Sequence, residues 1–176
     1  MRREVVESVE YHAIVAWYGE RVARRSGVRL IAHIDEGLAI LDGLAASLPA
    51  RRAFCLHPLV QADADLAVHG RRLAELSTEV DVVMLAFEYR NIANATLSTR
   101  AIASASEIPL SPLADVNVML VADKVQNRKD FLAHHRGSHP RSDELDRYFA
   151  LWLERLEISE ERYRELASWT SDRSSR

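Results

Sequence analysis

The chain holds one cysteine, two lysines, and no run of apolar residues near the ~18 that a membrane span needs. A single cysteine cannot close an internal disulfide, so no oxidising compartment is required. Cys55 lies in the apolar run Ala53-Phe54-Cys55-Leu56 and reads as a small buried hydrophobe rather than a catalytic thiol, which needs an electropositive, accessible setting. Glycine-rich phosphate loops, G-x-S-x-G elbows and paired-cysteine zinc patterns are all missing, which removes several enzyme classes. No segment alternates apolar and polar residues with the period of two that a half-buried strand requires. The opening Met1-Arg2-Arg3-Glu4 leads into mixed sequence and not into a signal-peptide apolar region, so a cytoplasmic location is expected.

What is present is an ordinary globular balance, with 48% apolar and 28% charged residues over 176 positions. That length suits one domain, expected over residues 1–170, with a polar tail at 171–176. The net charge of −3 exerts no general pull toward nucleic acid, and no nucleic-acid or membrane partner is expected. Basic residues are arginine except for Lys124 and Lys129, a bias expected of a GC-rich prokaryotic or phage genome.

Periodicity predicts an all-α fold of about seven to eight helices. The first is read over 4–25, ending at Ser26-Gly27. A second carries Ile31, Ile34, Leu38 and Leu41 on one face, and a short third over 51–57 is expected to stop at Pro58. Further helices are read over 65–76, around Val82 to Thr96, over 113–135 and around Leu145 to Leu156. The last starts at the N-cap Ser159. The serine- and proline-rich stretch 100–112 reads as loop.

Polar residues on apolar stripes are the informative ones. Asp123 and Asn127 sit one turn apart on a face that also holds Val116 and Leu120. An ionised carboxylate is costly to bury unless it is paired or binds a cation. His33 borders the apolar face of the second helix, and His57 follows Phe54-Cys55-Leu56. Each alone suits a structural role; together, two histidines and a carboxylate could converge on a divalent cation. The cluster His134, His135 and His139 reads either as a phosphate-contacting loop or as a solvated helix end.

Three runs carry a family resemblance: Arg24-Arg25-Ser26-Gly27 leading to Ile31-Ala32-His33, then Cys55-Leu56-His57-Pro58 through Ala62, then Val121-Ala122-Asp123-Lys124-Val125-Gln126-Asn127. With Tyr148-Phe149 downstream, the chain resembles the HD-type nucleotide phosphohydrolases, above all the small alarmone (p)ppGpp hydrolases. The resemblance implies an HD-like helical bundle and assigns His33, His57 and Asp123 to a divalent metal, manganese or similar. It places Arg24, Arg25, Lys124 and Asn127 against a phosphorylated nucleotide or alarmone. The pattern departs at Pro58, where the family has its metal-binding aspartate, and at Gln61-Ala62, where it has its catalytic acidic pair. Gln61 and Asp63 are the catalytic candidates in their place, with Glu36 and Asp65 as further carboxylates. Glutamine can orient a water but cannot take its proton. Three functions stay open on these residues: a phosphohydrolase with a rearranged site, an inactive nucleotide-binding sensor or sequestering protein, and a helical interaction module.

Overall fold

The computed structural model describes residues 2–76 and 79–170, so the expected tail at 171–176 lies outside the described residues. The chain begins with two short helices rather than one long one: α1 (Arg2–Val6) and α2 (Val9–Tyr18). Ser8 makes the break, because its hydroxyl caps α2 by accepting from Tyr11 N at 3.2 Å. Gly19, at φ 53°, ends α2 by taking a backbone conformation that side chains disfavour. Residues 20–30 then form a tight turn closed by an isolated bridge between Val22 and Arg29, with Gly27 at φ 70°. The helix read over 4–25 is thus corrected: it is divided between Val6 and Val9 and ends at Tyr18.

The remaining helices are α3 (Ile31–Gly43), α4 (Leu48–Gln61), α5 (Asp63–His69), α6 (Leu73–Leu76), α7 (Val80–Ala95), α8 (Ala114–His134), α9 (Ser142–Arg155) and α10 (Glu160–Ser168). Among the described residues there is no strand, and eight helices span seven residues or more, so the all-α reading and its helix count hold. These helices pack as a single domain around α4 and α8. Among the described residues, no helix is long and apolar enough to cross a membrane.

α4 is buried around most of its circumference, from Ala50 through Val60. It packs on α2, α3, α7 and α8, as a helix apolar on all sides must. It runs through Pro58 instead of stopping there, a second correction. Its polar residues are each anchored. Arg52 donates to both carboxylate oxygens of the buried Glu10 at 2.9 and 2.8 Å, tying α2 to α4. Arg51, 1% exposed, reaches Asp42 at 3.1 Å. Cys55 is fully buried, and burial pushes its thiol pKa up, as a structural hydrophobe requires.

Gly37 sets the approach of α3 to α4. A Cβ there would fall 2.2 Å from the Phe54 ring, so any side chain would wedge the helices apart. His33 and His57 sit on these two helices, and the missing Cβ brings them within reach.

The segment 96–113 is irregular apart from a 3-10 turn at Ala105–Glu107. Arginines of α9 hold it, with Arg155 donating to Ile108 O at 2.7 Å and Arg147 to Ala103 O at 2.9 Å. α10 starts as expected, with Ser159 Oγ accepting from Arg162 N at 3.1 Å. His134 lies exposed in the last turn of α8, and His139 Nδ1 accepts from Arg141 N, which fits a solvated helix end.

Candidate functional site

α3, α4 and α8 pack against one another, and each delivers one polar side chain to their junction. His33 comes from the first turn of α3, His57 from late in α4 and Asp123 from the middle of α8. One donor atom of each lies within 4.8 Å of the others. His33 Nε2 stands 3.2 Å from His57 Nε2, and Asp123 Oδ1 stands 3.5 Å from the first and 3.9 Å from the second. The His57 and Asp123 side chains are almost wholly buried, at 2% and 4% exposure, whereas His33 retains 21%. His33 and Asp123 therefore line a pocket, and His57 lies buried behind them.

Second contacts fix how each ring presents its nitrogens. His57 Nδ1 donates to Phe54 O at 2.6 Å. His33 Nδ1 lies 2.6 Å from Gln126 Oε1. The orientation of the Gln126 amide is set on its other side, where Nε2 donates to Glu36 Oε2 at 3.0 Å and Asp130 Oδ2 at 2.8 Å. Carboxylates accept only, so the amide nitrogen must face them and the carbonyl oxygen must face His33. His33 Nδ1 consequently carries a proton. Both rings have Nδ1 engaged as a donor, and both Nε2 atoms are turned toward Asp123.

Burial pushes the His57 pKa down to about 3, and the neighbouring His33 ring adds to the shift, so His57 is neutral near pH 7 with a free Nε2 lone pair. The ring is held between Phe54 and Tyr89, with centroids 4.6 and 4.7 Å away. Burial alone would raise the Asp123 pKa. Lys124 first, and the two histidines after it, outweigh burial and hold the carboxyl below its ordinary value. Asp123 divides its two oxygens: Oδ1 faces the histidines and accepts from Asn127 Nδ2 at 2.8 Å, while Oδ2 lies 2.8 Å from Lys124 Nζ. Burial disfavours the Lys124 ammonium, yet Asp123 and Tyr148 more than compensate and raise its pKa. Its charge also sits 4.9 Å from the Trp152 ring centre.

The histidine–aspartate wall opens into a cleft of about 450 Å³ that also holds Tyr18, Arg29, Gln61, Asn127, Asp130 and Tyr148. A second cleft of about 310 Å³ adjoins it through the shared residues Ser98 and Tyr148, and is lined by Arg100, Arg141 and Arg147.

Of the expected site residues, His33, His57 and Asp123 converge, and Gln61, Lys124 and Asn127 line the same cleft. The expected role of Lys124 shifts, because the residue is 4% exposed and its ammonium is paired with Asp123. Arg24 and Arg25 are exposed on the turn beside the cleft; Ala23, Ser26, Val28 and Arg29 of that turn line it instead. Asp63 lies apart from the cluster. Its side chain is 93% exposed, pairs with Arg90 and stands outside the cleft lining. Glu36 is no direct neighbour of the histidine pair but holds Gln126 and Lys129.

Gln126 and Asp130 are functional neighbours that sequence reasoning misses. Their spacing from Asp123, three and seven residues, places them along one helical face and is the available signal. Arg141 stands out in the sequence only as a neighbour of the histidine cluster, and Arg100 and Arg147 carry no sequence mark of a site. No family model matches this chain, no curated protein matches it, and no solved structure matches it.

Proposed function

We propose that the cleft binds a divalent cation through His33, His57 and Asp123, and beside it a phosphorylated nucleotide of the alarmone type. On this reading the chain is an HD-type phosphohydrolase site whose hydrolytic machinery is reduced. One observation carries the proposal. Two imidazole Nε2 atoms, each on a ring whose Nδ1 already donates elsewhere, face each other at 3.2 Å beside a carboxylate oxygen. Lone pairs so placed repel unless a cation, a proton or a metal ion, lies between them. Two imidazoles and one carboxylate with ordered outer partners also form a donor set suited to manganese, iron or zinc.

When bound, a divalent cation supplies a Lewis acid for a phosphoryl oxygen and a water of lowered pKa. The chain's own residues then set how well that water is used. Gln61, at the cleft wall, can orient a water by hydrogen bonding but cannot accept its proton. Lys124 keeps Asp123 ionised from within the wall, while Asn127 holds the carboxylate oxygen that faces the histidines. Arg100, Arg141 and Arg147 outnumber Glu144, the partner of Arg141, in the adjoining cleft and leave its lining net cationic, as a further phosphate group requires.

Calorimetry with (p)ppGpp, GTP and GDP, with manganese and then with chelator, tests this reading. The expected outcome is cation-dependent binding, weakened at least tenfold by Arg141→Glu, the loss expected when a charge-assisted contact is reversed. Arg24→Glu should change affinity far less. Binding indifferent to the chelator, or no binding by any of the three nucleotides, would overturn the proposal.

A further inference from the structure

We propose that Pro58 is a positioning residue that fixes which nitrogen of His57 faces the site. Inside an α-helix the carbonyl of residue i accepts from the N–H of residue i+4. For Phe54 that donor would come from residue 58, which as proline has no N–H. The Phe54 carbonyl is buried inside α4, where an unpaired acceptor is costly. His57 Nδ1 occupies the opening and donates at 2.6 Å. The bond decides the tautomer: with the proton on Nδ1, the lone pair is on Nε2, the atom 3.2 Å from His33 Nε2 and 3.9 Å from Asp123 Oδ1.

No other described contact of the His57 ring nitrogens would impose this choice. Phe54 and Tyr89 pack against the ring at tilted angles of 50° and 52°, and the Nε2 side meets only His33 and Asp123 among the described contacts. With any other residue at 58, a backbone N–H would share the same carbonyl and weaken its hold on Nδ1. A proline that destabilises a helix interior is in this way kept at a position where its missing donor serves a neighbouring side chain. Outer hydrogen bonds that orient a metal-ligating histidine are typically worth 10- to 100-fold in affinity. The consequence for metal affinity rests on the cation site proposed above; the tautomer does not.

The test is Pro58→Ala in the full chain, read three ways. Nitrogen-15 spectra of the metal-free protein should show His57 as the Nδ1-protonated form in the wild type and a mixture of tautomers in the variant. The melting temperature should rise, since alanine restores the helical hydrogen bond, while manganese affinity falls about tenfold. Stability and affinity moving in opposite directions is what a merely structural proline would not produce. An Nε2-protonated His57 in the wild type, or a tautomer unchanged in the variant, would overturn the proposal. A tautomer that shifts as expected in a protein with no measurable manganese affinity would support the role of Pro58 and overturn the cation site instead.

Discussion

Replacing Asp123 with asparagine in metal-free protein is expected to cost about 3–5 kcal/mol of folding stability, the usual result of removing one partner of a buried ion pair. Asp123 is 3% exposed and Lys124 4%, and Asp123 Oδ2 lies 2.8 Å from Lys124 Nζ. Asparagine keeps the shape and its Oδ1 can still accept from Asn127, but its Nδ2 then faces the Lys124 ammonium, so charge and acceptor are lost together. What remains is an ammonium enclosed by Trp152 and Tyr148, whose ring contacts recover only a small part of its lost hydration. Removing both charges with Asp123→Asn and Lys124→Met should restore most of the loss, because the penalty belongs to the buried ammonium left without its partner. Urea unfolding of the four proteins in this cycle measures it. A single-variant loss under about 1 kcal/mol, the size of an exposed pair, would mean that water reaches the pair and screens it.

Gln61→Glu is expected to raise manganese-dependent phosphate or pyrophosphate release from (p)ppGpp by roughly 10²- to 10⁴-fold, the range general-base help commonly supplies. Gln61 is half-buried on the cleft wall, near the C-terminus of α4, and Asn94 Nδ2 holds its backbone carbonyl at 2.8 Å. The substitution therefore changes one atom type on an anchored backbone. The new carboxylate faces a cleft that also contains Arg29, which limits its electrostatic cost. Product release is measured on both proteins with and without chelator. No gain, with nucleotide binding intact, would mean that residue 61 does not reach the water that attacks phosphorus. Rapid turnover by the unmodified chain would place the base elsewhere, with Asp130, the other carboxylate on the cleft wall, first to be mutated.

The fold is legible in the sequence where local signals agree with packing. α7 to α10 follow apolar spacing of three and four, and Ser159 announces α10 by a cap that needs no tertiary help. The sequence misleads where one residue acts through another. Pro58 reads as a helix end by every local rule, yet α4 continues because a side chain one position earlier uses the carbonyl that proline leaves open. Ser8 and Gly19 divide a stretch whose apolar content alone reads as continuous helix.

The histidine–aspartate wall is legible because buried polar residues on apolar stripes need partners, and these three find one another. Its outer contacts are not, since Gln126, Glu36 and Asp130 meet across two helices that sequence cannot dock. Resemblance points to Arg24 and Arg25, whereas the turn at Gly27 hands the cleft wall to Arg29. Asp63 draws attention by its proximity in sequence to Gln61. One residue past the end of α4 the chain has changed direction, and the carboxylate projects into solvent beside Arg90.

The proposed cation would be shared by His33, His57 and Asp123. Titration calorimetry of chelator-treated protein with manganese and with zinc at neutral pH tests it most directly. The expected result is one ion per chain, with affinity lowered about a hundredfold or more in His33→Ala, where one of three protein donors is lost. No binding of either metal to the folded wild-type chain, or equal binding by wild type and His33→Ala, would contradict it.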